Sequence, residues 1–229
     1  MLEQVLNSPF FGLALTVVCW CGAVKLQKRT GLLVCNPVLV CAVAIIGILV
    51  IFDIPLSSYN RGGSVIKMML GPATAVLALN IYQQRKVLGR YFVPVLGGCL
   101  AGSLASMGSV LLLCRLFRVN EVFTASVLPK SVTTAIAVGI AENGGGIPGI
   151  TAAAVVITGV EGAMLAPFFA KLFRITDPVA EGVAIGASSH AVGTSKALEI
   201  GRLQGAMSSI AICVCGIFTS ILALVFSVI

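Results

Sequence analysis

Long apolar runs, many of them near the length of a membrane-spanning helix, dominate this sequence and leave few polar residues for a water-soluble surface. Only 10% of the 229 residues are charged and 58% are hydrophobic, whereas soluble domains carry about 25% charged residues. Since a spanning helix needs about 20 residues, the chain has room for about seven to eight of them. The pattern predicts an all-α, polytopic integral membrane protein with short loops.

Positive charges and cysteines fit the same interpretation. The net charge of +7 does not indicate a nucleic-acid partner, because most Lys and Arg residues form short clusters between apolar runs, as they do beside membrane helices. The eight cysteines lie in or beside apolar runs without a metal-binding spacing, so we interpret them as small hydrophobic residues. We expect no metal and no cofactor. No basic segment precedes the first apolar run, which we expect to be retained as a span.

Five segments are predicted to be uninterrupted spans, at residues 9–24, 37–52, 92–114, 147–173 and 206–229. A proline is well tolerated in the first turn of a helix, so Asn36-Pro37 is a plausible start for the second span. Residues 53–67 contain Pro55, Asn60, Gly62 and Gly63, which all favour turns, and predict a polar loop.

Three further segments, at residues 68–82, 128–143 and 179–199, carry polar or helix-breaking residues among apolar ones. Polar groups are costly in hydrocarbon and usually face a protein interior or a water-filled cavity. Irregular backbone at membrane depth is tolerated only where it is buried in protein or lines such a cavity. We therefore predict that these segments build a site. For the polar run around His190, the alternative is a short loop at the membrane surface.

Two sequence fragments suggest internal repeats. Leu116-Phe117-Arg118-Val119 ends one span, and Leu172-Phe173-Arg174-Ile175 ends another 56 residues later. The interrupted segments that begin near residues 70 and 128 have nearly the same separation. Interrupted segments in corresponding positions of repeated halves point to a transporter binding site.

The orientation of the chain is not decided by its charges. If every segment crosses the membrane once, seven Lys or Arg residues (25, 28, 29, 85, 86, 90 and 202) face the side of the first basic cluster, and six (61, 67, 115, 118, 171 and 174) face the other. The positive-inside rule needs a clear excess on one side. Either a polar segment is re-entrant or a partner subunit helps to set the topology.

Several motifs resemble the LrgB/CidB family of bacterial inner-membrane proteins. They are Leu128-Pro-Lys-Ser-Val-Thr-Thr134, Gly145-Gly-Ile-Pro148, Thr158-Gly159 and Ser189-His-Ala-Val-Gly-Thr194. The resemblance covers nearly the whole chain and implies a single LrgB-like membrane domain over residues 1–229. Related sequence forms the C-terminal part of a plant chloroplast glycolate/glycerate translocator.

The resemblance implies two functions of different classes. One is secondary transport of small 2-hydroxy or 2-oxo monocarboxylates, of the glycolate, lactate or pyruvate type. The other is holin- or antiholin-like modulation of murein hydrolase export and autolysis. Either would act in the bacterial inner membrane beside a small LrgA/CidA-type membrane protein. We also expect contact with membrane lipid and assembly into an oligomer. A carrier needs polar residues at one depth and a pore needs them along its length, so this sequence favours the carrier.

The candidate substrate-binding residues are Thr74, Lys130, Ser131, Thr133, Thr134, Ser189, His190, Thr194 and Lys196. Lys130 could supply a positive charge for a small carboxylate, and the hydroxyl groups could supply hydrogen bonds. A helix that restarts after Pro129 would add its free N–H groups and the positive end of its dipole. The alternative for Lys130 is a side chain that extends from a helix end to the membrane interface.

Proton coupling is assigned to His190 and Glu142. Small changes in environment move an imidazole across its titration near neutral pH; the alternative for His190 is a packing residue. Lys196 lies six residues further on, so both side chains can reach one pocket only if the backbone breaks near Gly193. Glu142 and Glu199 could pair with Lys130 or Lys196, although an interfacial position is the simpler interpretation for both.

Glu161 lies in an otherwise apolar span, where the family pattern has an apolar residue. Such a group must be neutral, paired or facing a cavity, and we interpret it as a local adaptation. We expect no enzyme activity, because the single histidine has no nearby aspartate and no phosphate-binding loop is present. Transport would then be secondary or passive.

Overall fold

The computed structural model describes residues 6, 8–31, 35, 37–69, 72, 75–76, 79, 82–83 and 85–226, and the regular secondary structure in these residues is helical. The chain forms two compact units, residues 1–74 and 75–229. The helices are α1 (Pro9–Thr30), α2 (Pro37–Ile51), α3 (Leu56–Met68), α4 (Arg85–Arg90), α5 (Phe92–Leu116), α6 (Glu121–Val127), α7 (Thr134–Asn143), α8 (Pro148–Leu172), α9 (Pro178–Ile200) and α10 (Arg202–Phe226).

Within the described residues, four helices are long and apolar enough to cross a membrane: α1, α5, α8 and α10. Many of their large apolar side chains point outward, including Val93 in α5 and Leu224 in α10, as lipid contact requires. The all-helical, multi-pass membrane architecture predicted from the sequence is confirmed. The apolar helix α2 is shorter, at 15 residues, and the total of about seven to eight crossings stays a prediction.

In the first unit, α1 and α3 pack together through glycines. A Cβ atom on Gly12 would lie 3.1 Å from the Cα atom of Gly62, so the two backbones touch at this point. One turn further along α1, the hydroxyl groups of Thr16 and Tyr59 lie 3.0 Å apart in a hydrogen bond. The prediction of a polar loop at residues 53–67 is therefore wrong: Gly62 permits a close helix–helix approach instead of forming a turn.

In the second unit, α9 packs against three longer helices through small residues. Contacts with glycine occur between α9 and each of α5, α8 and α10; they involve Gly98, Gly102, Gly159, Gly162, Gly182 and Gly186. Small residues allow helices to approach closely in lipid, where apolar burial alone gives little driving force. The core of this unit is formed by α5, α9 and α10, with fully buried residues such as Val95, Met207 and Ile210.

The path of α9 reverses at His190, whose backbone is not helical (φ 41°, ψ −134°). Its contacts with α10, in order along α9, are Gly182 with Gln204, Gly186 with Ser208, Thr194 with Ser208, and Leu198 with Gly205. Along α9, the contacted residue in α10 thus moves from 204 to 208 and then back to 205. Residues 178–189 and 191–200 are two arms of a helical hairpin, and His190 is its tip.

A second hairpin is formed by α6 and α7, with residues 128–133 as its tip. After α7, the chain returns to α6, because the Ile147 N–H donates a 2.7 Å hydrogen bond to the Ser126 hydroxyl. The interruption predicted after Leu128 is confirmed, with the new helix beginning at Thr134. The other interrupted segment, residues 68–82, lies mostly outside the described residues, as does Thr74.

The helices that precede the two hairpins end in the same way. Both α5 and α8 have 25 residues. Two residues beyond each helix, Arg118 and Arg174 have left-handed backbones with φ of 53° and 52°. The next N–H in each case donates to a carbonyl five residues earlier, Val119 to Cys114 at 2.8 Å and Ile175 to Ala170 at 2.9 Å. The side chains of Asn120 and Asp177 then cap the first arm of each hairpin.

Candidate functional site

An open cavity of about 1010 Å³ lies within the second unit. Its walls are α5, α8 and the first arm of α9, and part of the α6–α7 tip closes it. Near one end of these helices, apolar residues such as Pro94, Phe169 and Ala180 line the cavity together with Tyr91, Asp177 and Glu181. The polar residues deeper in the cavity are Ser106, Ser109, Lys130, Ser131, Thr158, Glu161 and Ser188.

These polar residues lie at similar depths along their helices. Thr158 comes ten residues after Pro148, the start of α8, and Ser188 comes ten residues after Pro178, the start of α9. At a rise of 1.5 Å per residue, each lies about 15 Å from its helix start. Much of the polar lining of the cavity therefore lies near the middle of the helices.

Lys130 is the positively charged residue of this polar cluster. It lies on the α6–α7 tip, is partly buried, and lines the cavity. Its backbone N–H donates a 3.2 Å hydrogen bond to the Val127 carbonyl. Within the described residues its side chain makes no direct hydrogen bond or ion pair, but it interacts electrostatically with Glu161 and His190. Its neighbour Ser131 is held by a 2.7 Å hydrogen bond between its hydroxyl and that of Ser106. The tip thus presents a cation to the cavity without a direct partner.

The two threonines of the tip do not line the cavity. Thr133 precedes α7 as its N-cap residue, with an extended backbone, but its side chain makes no capping bond. Its buried hydroxyl oxygen has no hydrogen-bond partner among the described residues. Thr134 begins α7 and is partly buried. The predicted binding roles of both residues stay predictions.

His190 is buried at the tip of the α9 hairpin, with 3% of its surface exposed. Its Nε2 lies 2.9 Å from the carbonyl oxygen of Val155 in α8. Because a carbonyl oxygen only accepts, Nε2 carries the proton in this hydrogen bond. The ring fits against Gly159, where even a methyl group would collide with it. His190 therefore joins the α9 tip to α8 and does not line the cavity.

Two serines precede this tip. Ser188 lines the cavity, and its hydroxyl lies 2.9 Å from that of Ser189. Ser189 is fully buried against Gly162 of α8. Ser188 is not among the predicted site residues, yet it is the residue of this pair that lines the cavity.

The remaining predicted site residues lie elsewhere. Thr194 is buried in the second arm of α9, where its hydroxyl donates to the His190 carbonyl at 3.0 Å and lies 2.6 Å from the Ser208 hydroxyl. Lys196 forms a 2.8 Å ion pair with Glu199 on the same arm. Glu142 is exposed near the end of α7. The backbone breaks at His190, three residues before the predicted position, and this break does not bring Lys196 into the cavity.

Eight polar residues that line the cavity were not predicted as site residues: Tyr91, Ser106, Ser109, Thr158, Glu161, Asp177, Glu181 and Ser188. Ser106 and Ser109 are three residues apart in α5, and Thr158 and Glu161 are three residues apart in α8. Residues at this spacing lie on one face of a helix. This pattern is the signal that could have identified these four residues.

Similarity to known proteins agrees with this architecture. Residues 16–229 match the model of the LrgB-like family. The chain belongs to the LrgB-like family. Among curated LrgB-like relatives, the antiholin-like protein LrgB of Bacillus subtilis is 35% identical over 220 residues, which are 96% of this chain and 95% of the relative. The uncharacterized protein YxaC of Bacillus subtilis is 40% identical over 206 residues, which are 90% of both chains. No solved structure matches this chain.

Proposed function

We propose that this LrgB-like protein is a secondary transporter of small 2-hydroxy or 2-oxo monocarboxylates, of the glycolate, lactate or pyruvate type. The observation that carries the proposal is Lys130, a cavity-lining cation that makes no direct ion pair with the described residues. The carboxylate of a small substrate would form the direct ion pair that the Lys130 ammonium lacks with the described residues. Hydroxyl groups of Ser131 and Thr158 line the same part of the cavity and could replace part of the hydration shell of the substrate.

We further propose that the two hairpins are re-entrant and form inverted repeats. The matching ends of α5 and α8, 56 residues apart (172 − 116), support this proposal, since each leads through an equivalent turn into a capped hairpin. Because α5 and α8 are consecutive spans, their hairpins would enter from opposite membrane faces. Their tips would meet near the bilayer centre, where inverted-repeat transporters place their substrates.

This topology gives the second unit a clear charge asymmetry. Outside the hairpins, six Lys or Arg residues (85, 86, 90, 171, 174 and 202) would lie on the face where α5 begins, α8 ends and α10 begins. Two, at positions 115 and 118, would lie on the opposite face. By the positive-inside rule, the first face is cytoplasmic. The mouth of the cavity would then open toward the cytoplasm.

The second candidate function is holin- or antiholin-like modulation of murein hydrolase export and autolysis. It is favoured by the name of the Bacillus subtilis relative, antiholin-like protein LrgB. An antiholin acts through other membrane proteins, so an LrgA/CidA-type partner belongs to this alternative as well as to the transporter. The cluster of hydroxyl groups around Lys130 near the middle of the helices favours the carrier over a pore with an evenly polar lining along its length.

The transporter proposal is tested by uptake of labelled glycolate, lactate and pyruvate into proteoliposomes, with and without an LrgA/CidA-type partner. We expect saturable uptake that falls about 100-fold in Lys130→Ala, because losing a desolvated ionic contact costs about 3 kcal/mol, and 1.4 kcal/mol corresponds to tenfold. The matched control is Lys171→Ala, at the exposed end of α8. Non-selective leakage of small dyes without saturable uptake would support the holin-like alternative instead.

A further inference from the structure

We propose that Glu161, and not His190, carries the proton that enters with the carboxylate. This inference rests on the proposed transport function. Glu161 lines the cavity from α8 while Lys130 lines it from the α6–α7 tip, and the two interact electrostatically. No direct ion pair joins them in the structure. Glu161 is also exposed to the cavity, so water can deliver or remove a proton.

His190 lacks this access. Its ring is buried, its Nε2 proton is used in the bond to Val155, and the residue does not line the cavity. Moreover, a change in its hydrogen bonding would disturb the contact that joins the α9 tip to α8. A group that must exchange protons in each transport cycle needs contact with water, and Glu161 has it.

Other charged groups around the cavity have separate roles. Asp177 and Glu181 line the mouth, where Asp177 caps α9 and Glu181 accepts a 3.2 Å hydrogen bond from Gln204. The α5 wall contributes Tyr91 near the mouth and two serines deeper in the cavity. Among the described residues, the charged cavity residue that lies with Glu161 away from the mouth is therefore Lys130. The ionisable ring of His190 lies outside the cavity lining, against Gly159, two residues before Glu161 in α8.

Charge balance links substrate binding to protonation of Glu161. In the empty site, the ammonium of Lys130 offsets the carboxylate of Glu161. A bound substrate carboxylate adds a second negative charge beside the same cation, and like charges in a sheltered cavity repel strongly. Protonation of Glu161 removes this repulsion and restores neutrality. One substrate anion and one proton would thus enter together, with no net charge moved.

The test uses proteoliposomes that contain a pH-sensitive dye. For the wild type, we expect a pH gradient, acidic outside, to stimulate uptake, and substrate entry to acidify the lumen. For Glu161→Gln, we expect the ratio of gradient-driven uptake to substrate counterflow to fall at least about tenfold, corresponding to about 1.4 kcal/mol of lost coupling. Glu161→Asp should retain the coupling. Glu121→Gln, which changes an exposed carboxylate in the first turn of α6, is the matched control and should keep the wild-type ratio.

An unchanged ratio in Glu161→Gln, or its loss in His190→Gln alone, would overturn the assignment of the proton to Glu161 and leave the transporter intact. A second measurement needs no variant: a potassium diffusion potential should not change wild-type uptake, since the proposed cycle moves no net charge. Stimulation by that potential would contradict the inference. Absence of saturable uptake by the wild type would instead overturn the transport function on which the inference rests.

Discussion

The tips of the two hairpins are alike in position but differ in what they do with their polar residues. The α6–α7 tip is an irregular turn whose Lys130 side chain lines the cavity and has no direct bonding partner in the described part of the chain. The α9 tip is a break at a single residue, and its polar groups bond to the protein: His190 to Val155 and Thr194 to Ser208. The comparison shows that polar residues in an apolar sequence can hold a tight turn together through bonds within the protein, whereas the binding roles predicted for His190 and Thr194 stay predictions.

The largest loss of stability is expected from a substitution that breaks the contact between the α9 tip and α8. Gly162→Leu would force a side chain into the position of Ser189, whose Cβ atom lies 2.7 Å from a Cβ built on Gly162. Overpacking of this kind should lower the free energy of unfolding by about 3 kcal/mol, measured by denaturation in detergent micelles. Gly149→Leu is the control on the same helix, since a Cβ atom there meets nothing within 4 Å. Equal stability of the two variants would show that the α9 tip does not depend on this packing.

A smaller loss of stability is expected from His190→Ala, which tests the structural role of the α9 tip. His190→Ala removes the buried hydrogen bond to Val155 and leaves space at the α9 tip, at an expected cost of about 2 kcal/mol in the free energy of unfolding. His190→Gly should be less destabilising than His190→Ala by about 1 kcal/mol, because glycine adopts a positive φ without strain.

Lys130→Ala is the comparison for the other tip, in the same denaturation experiment. It should change the free energy of unfolding by less than about 0.5 kcal/mol, since the Lys130 side chain makes no direct bond to any residue that the structure describes. A larger loss of stability in Lys130→Ala than in His190→Ala would reverse the roles assigned to the two tips.

The smallest change in stability and in uptake is expected from a substitution of Lys196. Lys196→Ala removes an exposed ion pair with Glu199, and such pairs contribute about 0.3–0.5 kcal/mol in helices. Uptake measured as for Lys130→Ala should stay within about twofold of the wild type, by the same conversion of free energy to rate. A loss of uptake comparable to that of Lys130→Ala would place Lys196 in the site after all, in another conformation of the hairpin.

The sequence predicted much of the helical architecture but not the paths of the interrupted segments. Apolar length located α5, α8 and α10, and polar content located the interruption near Pro129. That residues 191–200 turn back along α10 follows only from contacts distant in sequence, such as Thr194 with Ser208. Gly62 shows the same limit, because its role depends on the helix opposite it.

For this protein, the sequence by itself determined that the chain enters the membrane and where its regular spans lie. The free energy of transferring a segment from water into lipid is set mainly by the side chains of that segment, and these are known from the sequence. Only the tertiary structure decided that Lys130 and Glu161 share a cavity while Lys196 lies outside it. Which side chains share a cavity depends on the direction in which each hairpin turns and on close contacts at glycines between helices that are distant in sequence. Neither can be read from the side chains of one segment alone.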